Sequence, residues 1–194
     1  MNTAWFCGTF DPVHLAHLRV ASHILEEFQL DSIGFLPSGQ PPNKLNQSVS
    51  PAAIRLELLG LAIAHEPRFF ISTIETDRQG PSYMIDTIAI LKSVYPIEAP
   101  VLMMGSDNLA SLSTWKSWQQ LIEQSRLIVF RKDYSDLVLP GFLQPWSGHI
   151  RFSSAPLLDI SSTDIRRRIR EGEPVDFLLS DPVKSRIFER QYYH

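Results

Sequence analysis

T3-A-W-F-C-G-T-F-D-P-V-H-L-A-H17 is the stretch from which the fold can be read. Thr3–Cys7 is short and apolar, and Gly8 follows it, which is the pattern of a buried strand running into a turn. Pro12 ends that turn. Beyond it, Val13, Ala16, Val20, Ile24, Leu25 and Phe28 recur at helical spacing, so His14–Phe28 reads as a helix. A buried strand leading through a glycine turn into an amphipathic helix is the first half of a βαβ unit.

Outward from there the alternation continues. Ser32–Pro37 reads as a second strand, and residues 38–49 as a polar loop with Gly39 and two prolines. Ser50-Pro51 signals a helix start, with Ser50 as cap, and that helix extends to about His65. Phe69–Ile74 reads as a strand, 75–81 as a charged loop, and Tyr83–Tyr95 as a helix. Pro100–Met104 and Arg126–Phe130 are further apolar strands, separated by helices over Asp107–Leu112 and Trp118–Gln124. Residues 133–149, with two prolines and two glycines, read as irregular, and Ile150–Phe152 as a short edge strand. Ser162–Glu171 reads as a helix capped by Ser161 or Ser162. Asp181-Pro182 opens a last one.

This order predicts an α/β fold: a Rossmann-like, doubly wound, mainly parallel sheet of five to six strands with helices on both faces. One domain over 1–194 is expected, with a core at about 1–152 and a helical C-terminal appendage at about 153–194. In such sheets ligands gather at the carboxyl ends of the strands, near the switch in strand order.

Composition narrows the partners. Lys and Arg number 18 against 21 Asp and Glu, a net charge of −3, which does not suit a general nucleic-acid binder. Cys7 is the only cysteine, so no intramolecular disulfide forms and a reducing compartment is expected. No signal peptide and no run long enough to span a membrane are legible. The expectation is a cytoplasmic chain without a membrane partner.

Two segments carry chemistry. Gly8-Thr9-Phe10-Asp11-Pro12-Val13-His14-Leu15-Ala16-His17 joins the first strand to the first helix. Unpaired N–H groups and the dipole at a helix start favour an anion. His14 and His17, three apart, share a helix face with Cβ atoms ~5–6 Å apart, within reach of one polyphosphate. H-x-x-H is also compatible with zinc or with structural histidines, but no third ligand stands nearby. Asp11, before a proline, reads more as a turn residue than as a catalytic carboxylate. The second segment is Ile160-Ser161-Ser162-Thr163-Asp164-Ile165-Arg166-Arg167-Arg168. Three hydroxyls at a helix start and Arg166 one turn in make a second anion site; equally, Ser-Ser-Thr is a common cap and arginine runs are commonly solvated.

Together these segments resemble the nucleotidylyltransferase superfamily with the H-x-G-H signature. The blocks Pro41-Pro42-x-Lys44, Arg78-x-Gly80-x-Ser82-Tyr83-x-x-Asp86-Thr87, Gly105-Ser106-Asp107, Trp115 and Asp181-Pro182-Val183 are similar to its bacterial nicotinate mononucleotide adenylyltransferase branch. The phosphopantetheine branch usually has threonine where His14 stands, and archaeal-type nicotinamide mononucleotide enzymes have a differently built first loop. Departures are Cys7 in place of a glycine, Ala16 in place of the glycine between the histidines, and Asn43 where many relatives have histidine.

The resemblance implies that ATP and nicotinate mononucleotide give nicotinic acid adenine dinucleotide and pyrophosphate, a step of NAD biosynthesis. It implies His14 and His17 as catalytic residues. It implies Gly8, Thr9, Phe10, Lys44, Gly105, Asp107, Ile160, Ser161, Ser162, Thr163 and Arg166 around ATP, and Tyr83, Thr87 and Trp115 around the acceptor. Mg²⁺ would enter with ATP, with no metal site of protein ligands. The oligomeric expectation is a monomer or homodimer. An alternative is the same superfamily with another acceptor, nicotinamide mononucleotide or another phosphomonoester. A non-catalytic nucleotide binder would predict a damaged histidine pair. An NAD-dependent oxidoreductase would predict G-x-G-x-x-G after the first strand, and neither is present.

Overall fold

A computed structural model describes residues 2–42, 49–132, 134 and 136–194. Six strands form one sheet in the order β3-β2-β1-β4-β5-β6. They are β1 (Thr3–Gly8), β2 (Ser32–Pro37), β3 (Phe69–Ile71), β4 (Val101–Gly105), β5 (Arg126–Phe130) and β6 (Ile150–Phe152). Every pairing is parallel, so the mainly parallel expectation becomes wholly parallel. The helices are α1 (Leu15–Glu27), α2 (Ala52–Ile63), α3 (Met84–Val94), α4 (Ser106–Ala110), α5 (Trp118–Glu123), α6 (Ser162–Glu171) and α7 (Asp181–Arg190).

Each strand residue faces one of two cores because side chains alternate across a sheet. In β1, Phe6 packs with α1, α2, α6 and α7 on one face, through Ile24, Leu58, Ile165 and Ile187. Its neighbour Trp5 packs on the other face with Ile88 of α3 and Leu121 of α5. Strands buried on both sides carry the continuous apolar runs seen in the sequence. The order runs outward from the β1–β4 pair in both directions, so the carboxyl ends of those two strands open a crevice.

Three local expectations change. Pro51, not Ser50, is the N-cap of α2, with extended ψ of 140°, and Ser50 lies outside the helix as a backbone anchor. β3 stops at Ile71, where Ser72 hands its N–H to Phe35 O. The segment expected to be irregular holds a 3-10 run over Gly141–His149, kinked at Trp146. Its Pro and Gly are local breakers, but Leu143 is buried and Trp118 of α5 meets Phe142 and Trp146 edge-on, at 5.4 and 5.5 Å. Tertiary packing overrides the breaker signal there.

Candidate active site

Gly8 ends β1, and the loop that follows turns sharply. Phe10 is in the left-handed region at φ 52°, a conformation that costs a bulky residue ~1–3 kcal/mol. Packing holds it there. Its ring is buried edge-on against Phe6 at 5.4 Å and His17 at 5.0 Å. A Cβ on Gly8 would fall 2.9 Å from that ring, so glycine is what lets the loop fold back over itself.

His14 caps α1 with an extended backbone and His17 sits one turn in. Their rings stack at 3.7 Å with an interplanar angle of 22°. The His14 N–H donates to His17 Nδ1 at 3.2 Å. An accepting Nδ1 places the proton of a neutral His17 on Nε2, so the ring presents an N–H donor. Burial, with the Lys132 ammonium next in weight, pushes His14 down to about 3. Burial, then His14, then Lys132 hold His17 well below its ordinary value. Both rings are therefore neutral in the free protein, and an incoming polyanion reverses that electrostatic bias.

The second segment lies against the first. Ser161 accepts the Asp164 N–H at 3.1 Å and so is the cap of α6. Ser162 Oγ donates to Pro12 O at 2.9 Å, and Arg166 Nη1 donates to Asp11 O at 2.6 Å. The two helix starts thus share one cleft of about 820 Å³ whose walls include Gly8, Thr9, Phe10, His14, His17, Ser161, Thr163 and Arg166. Arg167 and Arg168 turn outward into ion pairs with Asp164, Glu171 and Glu173. Ser162 lines the same cleft, with its hydroxyl on Pro12 O tying the start of α6 to the first loop. Ile160 borders a smaller adjoining pocket with His14, His17 and Ala16.

Gly105, Asp107, Tyr83 and Trp115 line the same cleft. Gly105 caps α4, and a Cβ on it would fall 2.5 Å from Asp107 Oδ1. Lys116 lies over the Tyr83 ring at 4.7 Å while pairing with Asp86 at 3.1 Å. Thr87 is not on the cleft. It is fully buried and donates to Glu75 Oε1 at 2.9 Å. Its N–H and its hydroxyl also reach Tyr83 O, at 3.2 and 3.3 Å, and these bonds hold Thr87 inside the first turn of α3. Lys44, and Asn43 beside it, lie outside the described residues; Pro41, Pro42 and Val49 flank them on the cleft wall.

Two cleft residues escaped the sequence reading. Lys132 follows β5 and lines both pockets, with its backbone N–H on Ser106 Oγ at 3.1 Å. Its place at the carboxyl end of a strand was the available signal. Glu75 is 1% exposed, and burial pushes it up to about 7 against the pull of Thr87, Ser82, Arg78 and Arg55. Ser82 Oγ accepts the Gly39 and Gln40 N–H groups at 3.0 and 3.1 Å. A Cβ on Gly39 would fall 2.2 Å from the backbone carbonyl oxygen of Glu75, so the loop after β2 packs directly on the Glu75 backbone. A charged loop in sequence gives no hint that one of its acids is buried.

A parallel sheet with a crevice at its switch point, two imidazoles at a helix start and a cleft-facing arginine suit a phosphorylated ligand in an α/β fold. The chain belongs to the cytidylyltransferase-like family, which it matches over residues 5–168. It is 35% identical over 188 residues to a Bacillus subtilis protein named nicotinate-nucleotide adenylyltransferase, covering 97% of this chain and 96% of that one. A probable nicotinate-nucleotide adenylyltransferase of Hydrogenovibrio crunogenus is 36% identical over 198 residues, covering 96% and 94%. Among solved structures, Plasmodium falciparum nicotinic acid mononucleotide adenylyltransferase complexed with NaAD superposes with a TM-score of 0.81 over 99% of this chain and 97% of that one. At 17% identity this likeness speaks to fold. Among the described residues, no helix is long and apolar enough to cross a membrane.

Proposed function

We propose that the chain joins ATP and nicotinate mononucleotide into nicotinic acid adenine dinucleotide, releasing pyrophosphate. The observation that carries this reading is the meeting of both helix starts in one cleft, with Ser162 on Pro12 and Arg166 on Asp11. The named relatives supply the acceptor.

The acceptor's 5′-phosphate attacks the α-phosphorus of ATP in line. A phosphomonoester dianion is already nucleophilic, so positioning and charge stabilisation do the catalysis. His17 donates from Nε2 to the α-phosphate and His14 to its neighbours. Lys44, Thr163, Arg166 and Lys132 hold the outer phosphates, and Trp115 stacks on the pyridine ring. Asp107 accepts from ribose hydroxyls.

Mg²⁺ supplies charge neutralisation for the departing pyrophosphate. Asp11 is the cleft carboxylate beside the first loop, and with its oxygens accepting from Ser50 and Tyr193 it would serve the loop first, so Mg²⁺ would enter with the nucleotide. A monomer or homodimer in the cytoplasm is the setting we infer. The test is a pyrophosphate-release screen over ATP and CTP crossed with nicotinate and nicotinamide mononucleotides. The expected result is fastest release with ATP and the nicotinate form. Preference for the amide reassigns the acceptor, and preference for CTP overturns adenylyl transfer.

A further inference from the structure

We propose that Tyr193, next to last in the sequence, is a positioning residue for the phosphate loop, acting through Asp11. The phenol donates to Asp11 Oδ1 at 2.9 Å across 182 residues of sequence. Asp11 is 4% exposed, and its other oxygen accepts the Ser50 N–H at 3.0 Å. Its carbonyl is the one that Arg166 holds. Arg55, itself buried, donates to Thr9 O at 2.8 Å and to Ser50 O at 3.0 Å. The loop carrying Phe10 and His14 is therefore clamped by three distant parts of the chain, and Asp11 is where two of them, Ser50 and Tyr193, meet on one carboxylate.

The tail is built for this contact. Gln191 at φ 52° and Tyr193 at φ 71° turn the chain off α7 through the left-handed region. That turn sends consecutive phenols to different partners. Tyr192 donates to Glu57 Oε2 at 2.9 Å, beside the Arg186–Glu57 pair, and so ties α7 to α2. Tyr193 alone reaches the loop. Burial and the Asp11 charge raise the Tyr193 phenol, which keeps it a proton donor. Asp11 lines the cleft that receives a polyphosphate. Tyr193 and Ser50 each donate to one oxygen of that carboxylate, so its orientation, and with it the Asp11 backbone that Arg166 holds, depends on both.

This inference rests on the nucleotide reading of the cleft but not on the identity of the acceptor. Hydrogen bonds to charged groups predict on the order of tenfold for removing the phenol oxygen. Tyr193→Phe should weaken binding of a non-hydrolysable ATP analogue with Mg²⁺ by about that factor and raise the KM for ATP more than it lowers kcat. Tyr192→Phe, one residue earlier, should lower the melting temperature and leave both kinetic constants alone. Combining Tyr193→Phe with Asp11→Ala should cost no more than Asp11→Ala alone, because each removes the same Tyr193–Asp11 hydrogen bond. Analogue titrations run well below the melting temperature keep a destabilised variant measurable. Wild-type binding by Tyr193→Phe, or losses that multiply in the double variant, overturns the proposal. If the wild type makes no dinucleotide from nicotinate mononucleotide, the acceptor assignment fails while the analogue titration still decides the role of Tyr193.

Discussion

The two ends of the cleft are built differently. At the phosphate end, residues 8–17 and 161–166 are stitched to each other and to Ser50, Arg55 and the C-terminal tail by short hydrogen bonds. Where we place the acceptor, Tyr83 and Trp115 stand on a cap and after a 3-10 turn, and Thr87 close by is buried on Glu75. The first end is preorganised for charge, where a misplaced donor is costly. The second offers aromatic surface, where fit is graded. Loss of a group should therefore cost orders of magnitude at one end and single factors at the other.

His17→Ala is the strongest way to break this comparison. Removal of one preorganised donor lowers turnover ~10²–10³-fold, with folding intact by circular dichroism; near-normal turnover would sink the role of His17. Next, Arg166→Met removes a charged hydrogen bond and should lower kcat/KM for ATP ~10–100-fold. Arg167→Met, whose side chain is 40% exposed and paired at the surface, should stay within about twofold. Equal losses from the two arginines would erase the distinction between cleft and surface. Trp115→Ala should raise the KM of the acceptor ~2–12-fold through lost stacking, leaving the KM for ATP unchanged in steady-state assays.

The smallest effect is on stability. Glu75 has a folded pKa of about 7 against an ordinary 4.5, so its contribution is fully present below about pH 4.5 and is lost as pH rises through 7. The two histidines, whose values are lowered, act oppositely and lose stability as pH falls below 6.5. The difference between wild type and Glu75→Gln isolates the carboxylate. Urea melts from pH 5 to 8 should show wild type losing stability relative to the variant as pH rises. A constant difference would mean that Glu75 is ionised throughout.

Much of the phosphate end was legible because it is local. A strand, a glycine turn and two histidines at helical spacing lie within fifteen consecutive residues. The acceptor residues were legible only through resemblance, which carries no sign that Thr87 is buried on Glu75. Lys132 and Glu75 were missed for a related reason: neither sits in a pattern, and burial gives them their surroundings.

The amino-acid sequence by itself determined the strand and helix order, a cap at Ser161 or Ser162 and the two candidate anion sites, because apolar periodicity and helix ends are properties of neighbouring residues. Only the tertiary structure decided that Arg166 and not Arg167 faces the cleft, that Ser162 serves Pro12, and that the phenol of Tyr193 secures Asp11. Those choices depend on groups more than a hundred residues apart in the chain. They come into contact only when helices close over both faces of the sheet.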